Sequence, residues 1–155
     1  MAEATIFSVI KQAIQNEEDS YNLYQRLINM VKEKDSKDTF SYLASEEVKH
    51  KKFLENYLVG QCGEGALDLK QSVDYRVAEY LEAPAPSEKM RPQDAFLLAA
   101  SREKKSHEFY EHLAGMHPEG PVKEVLKRLA REELGHKEKV EYLYANTAFP
   151  QTDGG

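Results

Sequence analysis

LASEEVKH at residues 43–50 and LAREELGH at residues 129–136 are the two stretches that decide the fold. Each contains a glutamate three residues before a histidine, as Glu47 and His50 in the first stretch and Glu133 and His136 in the second. On an α-helix this spacing places a carboxylate and an imidazole on the same face, about 5–6 Å apart at Cβ. The sequence therefore predicts two helices that each present a carboxylate beside an imidazole.

These stretches belong to a longer internal repeat. Residues 13–58 align without a gap to residues 99–144, and 15 of the 46 positions are identical. Average composition would give about three identities, at roughly 6% per position. Glu17 and Glu103 are among the matched pairs, on the segments that precede the two motifs. Because the repeat is too long for a solenoid, it predicts two copies of a helical hairpin.

Apolar residues recur at alternating steps of three and four in each predicted helix, which is typical of helices that pack against neighbours. Polar residues interrupt these stripes mainly at the repeated Glu and His positions. The expected turns are residues 33–36 and 117–121, and a crossover at about 59–91 contains a short helix within 72–81. The predicted fold is an all-α, ferritin-like four-helix bundle in up-down-down-up order, with one domain at 1–147 and a flexible tail at 148–155.

The polar residues within the stripes are candidate metal ligands. Four carboxylates in a bundle core repel one another, and two divalent cations would neutralise them. Without metal, their pKa values are expected above the usual 4.3 or so. Mixed oxygen and nitrogen ligands suit iron, manganese or zinc, and the expected cofactor is two Fe ions, with Mn or Zn as alternatives. The alternative is a decayed site that keeps the stripes but binds no metal. The candidate ligands are Glu17, Glu47, His50, Glu103, Glu133 and His136.

Neighbouring residues have less specific expectations. Glu46 and Glu132 also repeat but lie one residue off the stripes, so they are expected in solvent or beside the ligands. Tyr24 and Tyr110 are interpreted as core aromatics, with a hydrogen bond to a ligand carboxylate as the alternative. His107 is expected to be a satisfied core histidine. The remaining predictions place His112 and His117 at the surface and give Cys62 no role.

The motifs resemble those of the rubrerythrin and ferritin-like superfamily over most of the chain. This resemblance implies a di-iron centre that reacts with oxygen or peroxide, with Glu47 and Glu133 bridging the metals and Glu17 and Glu103 as terminal ligands. Two features differ from typical rubrerythrins. Ser106 occupies the position of a further carboxylate, and these 155 residues contain one cysteine, too few for a four-cysteine rubredoxin-like centre. The symmetric ligand pairs look more like a bacterioferritin-type ferroxidase centre.

The overall composition excludes several classes of function. A net charge of −6 argues against nucleic acid as a partner, and no apolar run is long enough for a membrane span. A single cysteine and the absence of a basic, apolar leader indicate a cytoplasmic protein. Three hypotheses remain: an oxidoreductase supplied by a separate electron-donor protein, a ferroxidase that handles iron, and a bundle with a structural metal site. We also expect a homo-oligomer.

Overall fold

The computed structural model describes residues 4–82 and 86–146, apart from the side chain of Tyr75. These residues contain five α-helices, and their only β-type pairing is an isolated bridge between Thr5 and Ser72. The helices are α1 (Ile6–Met30), α2 (Lys34–Leu58), α3 (Tyr75–Glu79), α4 (Pro92–Gly115) and α5 (Pro121–Asn146). The predicted all-α bundle is confirmed. The predicted tail at 148–155 and the domain end at 147 lie outside the described residues.

Local sequence signals explain where the helices begin. Thr5 caps α1, because its Oγ1 accepts the backbone N–H of Ser8 at 3.2 Å while Ser8 Oγ accepts the N–H of Thr5 at 2.9 Å. Pro92 and Pro121 occupy the first positions of α4 and α5, where a proline loses no helical hydrogen bond. The turn between α1 and α2 covers residues 31–33, slightly before the predicted 33–36, because α2 already begins at Lys34.

Contacts between the hairpins define the order of the four long helices. Helix α1 packs mainly on α2, and α4 packs mainly on α5. Between hairpins, Tyr24 meets Glu103 and Tyr110 meets Glu17, so α1 and α4 run in opposite directions. The His50–Glu133 and His136–Glu47 contacts show the same for α2 and α5. The bundle therefore has the predicted up-down-down-up order.

The connection between the hairpins is tied to the start of α1. The backbone N–H groups of Ile6 and Phe7 donate to Gln71 O and Leu69 O, both at 2.9 Å. Within this connection, α3 spans Tyr75–Glu79, a shorter helix than the predicted 72–81. Gly60 has a φ of +74°, which lets the chain leave α2 in a left-handed conformation that suits glycine.

The core is divided into two apolar clusters along the bundle axis. One cluster includes Ile10, Leu54 and Leu113 near the α4–α5 turn, and the other includes Leu27, Phe40 and Phe96 near the α1–α2 turn. The six candidate ligands occupy positions between them along the helices. Among the described residues, no helix combines the length and apolarity that crossing a bilayer requires.

Candidate metal centre

The structure brings all six candidate ligands together at mid-bundle. Helix α1 supplies Glu17 and α4 supplies Glu103, while α2 and α5 each supply a Glu-x-x-His pair. Every one of these side chains is at most 4% exposed. Charged side chains are almost never buried to this extent unless they are paired or bind a metal, so the cluster calls for a physical explanation.

The ligand atoms fall into two overlapping groups. In each group, one atom from every residue lies within 4.8 Å of the others. The first group contains Glu17 and His50, the second contains Glu103 and His136, and Glu47 and Glu133 belong to both. Two adjacent positions with three carboxylates and one imidazole each, sharing two of the carboxylates, are the arrangement that a pair of bridged metal ions requires.

Each histidine presents its Nδ1 atom to three carboxylates. His50 Nδ1 lies 2.6 Å from Glu133 Oε1, 3.7 Å from Glu47 Oε2 and 3.8 Å from Glu17 Oε2. His136 Nδ1 lies 3.4 Å from Glu47 Oε1 and 3.6 Å from oxygens of both Glu103 and Glu133. The two imidazole rings are stacked, with centroids 5.7 Å apart. The two groups therefore have closely similar geometry, as the sequence repeat predicts.

Buried polar atoms without hydrogen-bond partners show that these residues fit a metal. Among the described residues, the atoms in this state are Glu17 Oε2, both Glu47 oxygens, His50 Nδ1, Glu103 Oε2, Glu133 Oε1 and His136 Nδ1. All of them belong to the six candidates. Although His50 Nδ1 and Glu133 Oε1 are close, their geometry is not that of a hydrogen bond. Unpartnered buried atoms are costly, and ligation to cations would remove that cost.

Two buried tyrosines hydrogen-bond to Glu17 and Glu103, the carboxylates that each belong to a single donor group. Tyr110 donates its hydroxyl to Glu17 Oε1 at 2.7 Å, and Tyr24 donates to Glu103 Oε1 at 2.5 Å. Each hydrogen bond crosses between α1 and α4 and leaves the other carboxylate oxygen free to face the centre. Of the two interpretations of these tyrosines, the structure supports both at once, since they are core aromatics that also orient a candidate ligand.

Glu132 forms a hydrogen bond with His50, one of the two candidate-ligand histidines. His50 Nε2 donates to Glu132 Oε2 at 2.8 Å, because a carboxylate can only accept. The hydrogen on Nε2 leaves the Nδ1 lone pair available for a metal. Glu46, which the repeat pairs with Glu132, instead lies 3.6 Å from Lys49 Nζ. The repeat is therefore broken in the layer that surrounds the ligands.

The pKa values divide the four carboxylates into two classes. Burial, together with repulsion from the other carboxylates, raises the pKa of Glu47 and of Glu133 well above the usual value. Burial acts in the same direction on Glu103, but contacts with His136 outweigh it and lower the pKa to about 2. Burial also raises the pKa of Glu17, but its contacts with Glu47 and His50 and the hydrogen bond from Tyr110 outweigh burial and lower it. The expectation that all four are raised is wrong for these two.

The negative charge of the carboxylates also shifts the pKa values of His50 and of the two buried tyrosines. Burial alone would lower the pKa of His50, but the charge of Glu133 and the hydrogen bond to Glu132 raise it well above the usual value. Burial and the nearby carboxylates raise the pKa of Tyr24 and of Tyr110 well above 10. The tyrosines are therefore protonated donors at neutral pH, and a metal would compete with a proton for His50.

The other histidines lie outside the centre. His107 is partly buried and contacts Ala130 O through Nδ1 at 2.7 Å, and His112 is exposed and stacks on Tyr80. The surface prediction is wrong for His117, which is 3% exposed. Its ring bonds Tyr57 Oη and Leu113 O, both at 2.7 Å, because the α4–α5 turn folds back onto α2.

Sequence reasoning missed one buried charge next to the centre. Arg102, which is 4% exposed, donates to Ser20 Oγ at 3.2 Å and to Asn16 O at 2.9 Å. It thereby joins α4 to α1 one residue before Glu103. The repeat pairs Arg102 with Asn16 itself, and this difference between the copies was the available signal.

Comparison with known proteins agrees with this geometry. The family model named Rubrerythrin matches residues 8–144, so the chain belongs to the rubrerythrin family. No curated protein matches the sequence. Among solved structures, the chain is similar to a hypothetical protein from Pyrococcus furiosus, with a TM-score of 0.68 and 22% identity over 91% of this chain and 89% of that one. At that identity, the likeness shows the shared fold alone.

Proposed function

We propose that this protein is a di-iron oxidoreductase that reduces peroxide or oxygen with electrons from a separate protein. The observation that carries the proposal is the convergence of seven unpartnered buried atoms on two donor groups that share Glu47 and Glu133. Family membership supports a metal site of this kind. We propose all six residues as the ligands, with Glu47 and Glu133 as bridges and Glu17 and Glu103 as terminal ligands.

Oxygen and nitrogen donors suit Fe, Mn and Zn, and Zn is excluded from this reaction because it does not change oxidation state. Between Fe and Mn, the resemblance to the di-iron superfamily favours iron, which is the metal we propose. When bound, two ferrous ions can deliver the two electrons that reduce one hydrogen peroxide to two waters. The protein's own contribution is to hold the ligands in place. Tyr24 and Tyr110 orient the two terminal carboxylates, and Glu132 orients the imidazole of His50.

An external electron donor is part of the proposal. Cys62 is the only cysteine of these 155 residues, so they cannot form a four-cysteine electron-transfer centre. We therefore propose that the electrons come from a separate protein. We expect anaerobic Fe(II)-loaded protein to consume about one hydrogen peroxide per two irons and then stop. Adding a reductant that reaches the centre should restore consumption.

The experiment begins with anaerobic reconstitution, metal analysis and a visible spectrum, followed by peroxide titration. About two irons per chain and the stoichiometric limit above are the expected results. No bound metal after reconstitution would refute the site, and sustained turnover with only NAD(P)H added would refute the need for a separate donor. A matched pair of variants tests the ligand roles. Glu47→Ala should lose both metals, whereas Glu17→Ala should weaken mainly one, because only a bridge touches both ions.

The second candidate is a ferroxidase that handles iron. The two donor groups have the same composition, and Ser106 stands where a further carboxylate would make them unequal. This equality resembles a bacterioferritin-type ferroxidase centre, and that resemblance favours the second candidate. Light scattering distinguishes the candidates, because iron storage requires a large shell of subunits. If metal binds but never changes oxidation state with peroxide or oxygen, a structural role replaces both.

A further inference from the structure

A cleft between α1 and α2 lies between the protein surface and two of the candidate ligands. Its volume is about 270 Å³, and its lining includes the candidate ligands Glu17 and Glu47 as well as Tyr21 and Asn22. A water molecule takes up ~30 Å³ in the liquid, so the cleft has room for roughly nine water-sized molecules. Its volume lies at the lower end of the range of about 300–1,000 Å³ that is usual for ligand sites.

The second hairpin has a cavity on its own α4–α5 surface, but that cavity does not reach the centre. It has a volume of about 420 Å³, and its lining contains none of the six candidate ligands. A groove of about 800 Å³ along α2 and α5 also contains none of them. Of these three openings, the smallest is the one whose lining includes candidate ligands.

The two copies of the repeat differ at the residue that lies beside the cleft. Tyr21 on α1 corresponds to His107 on α4. His107 Nδ1 contacts Ala130 O at 2.7 Å, so its ring ties α4 to α5. Tyr21 packs against the apolar cluster near the α1–α2 turn and also lines the cleft. Among the described residues, the first hairpin has no such contact at Tyr21, so the two hairpins differ in how their helices are tied together at this height.

Charges at the cleft differ between the copies as well. Glu18 Oε2 on α1 lies 3.9 Å from Lys51 Nζ on α2, so an ion pair spans the cleft. The corresponding residues of the second hairpin are Lys104 and Lys137, which cannot pair. Both side chains of the Glu18–Lys51 pair are partly exposed, and exposed pairs of this kind are weak and screened by salt. The pair can separate and admit a small solute.

We propose that the α1–α2 cleft is the entry route by which metal ions and small oxidants reach the centre, and that the second hairpin offers no equivalent route. The proposal rests on the proposed metal site. Of the six candidate ligands, Glu17 and Glu47 are the ones that a divalent cation in this cleft would meet first. Peroxide and dioxygen are small enough to take the same path.

The test uses Co(II), which reports binding through its visible absorption and does not depend on iron chemistry. Val48 lines the cleft and is 51% exposed, and the repeat pairs it with Leu134, which is 38% exposed. Val48→Trp should fill the cleft, whereas Leu134→Trp adds the same ring to the other hairpin. Stopped-flow spectroscopy measures Co(II) capture, and excess EDTA measures its release.

We expect Val48→Trp to slow both capture and release at least tenfold while the final stoichiometry stays unchanged. Leu134→Trp should stay within twofold of the original protein. Asn22→Phe, with Glu108→Phe as its partner in the repeat, repeats the comparison at a second position, and circular dichroism confirms that each variant is folded. Equal slowing in both hairpins, or no slowing in either, would overturn the entry route. Failure of the unaltered protein to bind Co(II) would overturn the metal site and the route together, whereas failure of peroxide reduction alone would leave the route standing.

Discussion

Binding of metal should invert the pH dependence of stability above pH 4.5 or so. Without metal, Glu47 and Glu133 have folded-state pKa values raised well above those of the unfolded chain. Such groups stabilise the fold below their unfolded pKa, and this contribution is lost as pH rises through the folded pKa. The pKa of His50 is also raised, so its contribution to the stability of the fold is likewise lost as pH rises above about 6.5.

The magnitude follows from the number of protons involved. Each proton that the folded protein holds and the unfolded chain has lost makes the free energy of unfolding fall by about 1.4 kcal/mol per pH unit. Glu103, with a pKa of about 2, and Glu17, whose pKa is also lowered, are ionised in both states over this range and do not change the slope. The metal-free protein should therefore lose stability between about pH 5 and 7.

With metal bound, the sign reverses. The cations hold the carboxylates and Nδ1 of His50 deprotonated, so the folded protein binds fewer protons than the unfolded chain. Stability should then rise with pH across the acid range and be lost on acidification, as protons compete with the metal. Binding also adds about 2.7 kcal/mol per site at a hundredfold excess over Kd. For a domain of this size, each kcal/mol shifts Tm by about 2–4 °C.

The assay is a pair of thermal melts at several pH values from 5 to 7.5, one with chelator and one with anaerobic Fe(II). Burial, together with the charge of Lys123, lowers the pKa of His117. The stability that this group contributes to the protein should therefore be lost as pH falls below 6.5. This contribution is present in both series, so the difference between the two curves removes it. Replacing Glu47 and Glu133 together with glutamine provides the control and should remove the part of the fall in the chelator curve that these two carboxylates cause, while the opposite contribution of His117 remains. Parallel curves for the original protein would refute a buried, metal-neutralised cluster.

Three further substitutions test the residues around the centre. Glu132→Gln should weaken one of the two metals about 10–100-fold in a Co(II) titration, because it removes the charge that orients a ligand imidazole, while Glu46→Gln should leave both affinities unchanged. Tyr110→Phe should lower the metal-free free energy of unfolding by about 1.5–3 kcal/mol in urea, since Glu17 loses a buried hydrogen bond, and an unchanged value would contradict that bond. His117→Phe should cost about 1–3 kcal/mol and abolish the loss of stability below pH 6.5 that this group produces; a variant that keeps that loss would show that another group causes it.

The sequence alone predicted the positions of the six candidate ligands because two independent patterns place them. The stripes put Glu17 and Glu47 on inward faces, and the repeat puts Glu103 and Glu133 at equivalent heights in the second hairpin. Helix periodicity and an antiparallel turn are enough to bring such residues together. No knowledge of individual side-chain contacts was needed for this part of the structure.

The parts that the sequence did not predict depend on contacts between hairpins. Whether Tyr110 would reach Glu17 depends on how α4 packs against α1. Periodicity within each helix does not predict how far helices of different hairpins are shifted along each other. The lowered pKa of Glu103 depends on its contacts with His136 in the same way. His117 was misassigned because a turn residue next to Pro118 is usually exposed, whereas here the turn folds onto Tyr57.

Three departures from the repeat lie near the donor group of Glu17 and His50. Glu132 contacts His50, the α1–α2 cleft is lined by Glu17 and Glu47, and the Glu18–Lys51 pair lies across that cleft. Duplication makes the two donor groups alike, so any difference between the two proposed metals must come from these surroundings. A carboxylate behind an imidazole strengthens it as a ligand, which affects affinity. A path to solvent affects only the rates of entry and exit. The metal position of Glu17 and His50 should therefore bind its ion more tightly, because Glu132 supports His50. It should also be the first position that a solute meets, because Glu17 lines the cleft.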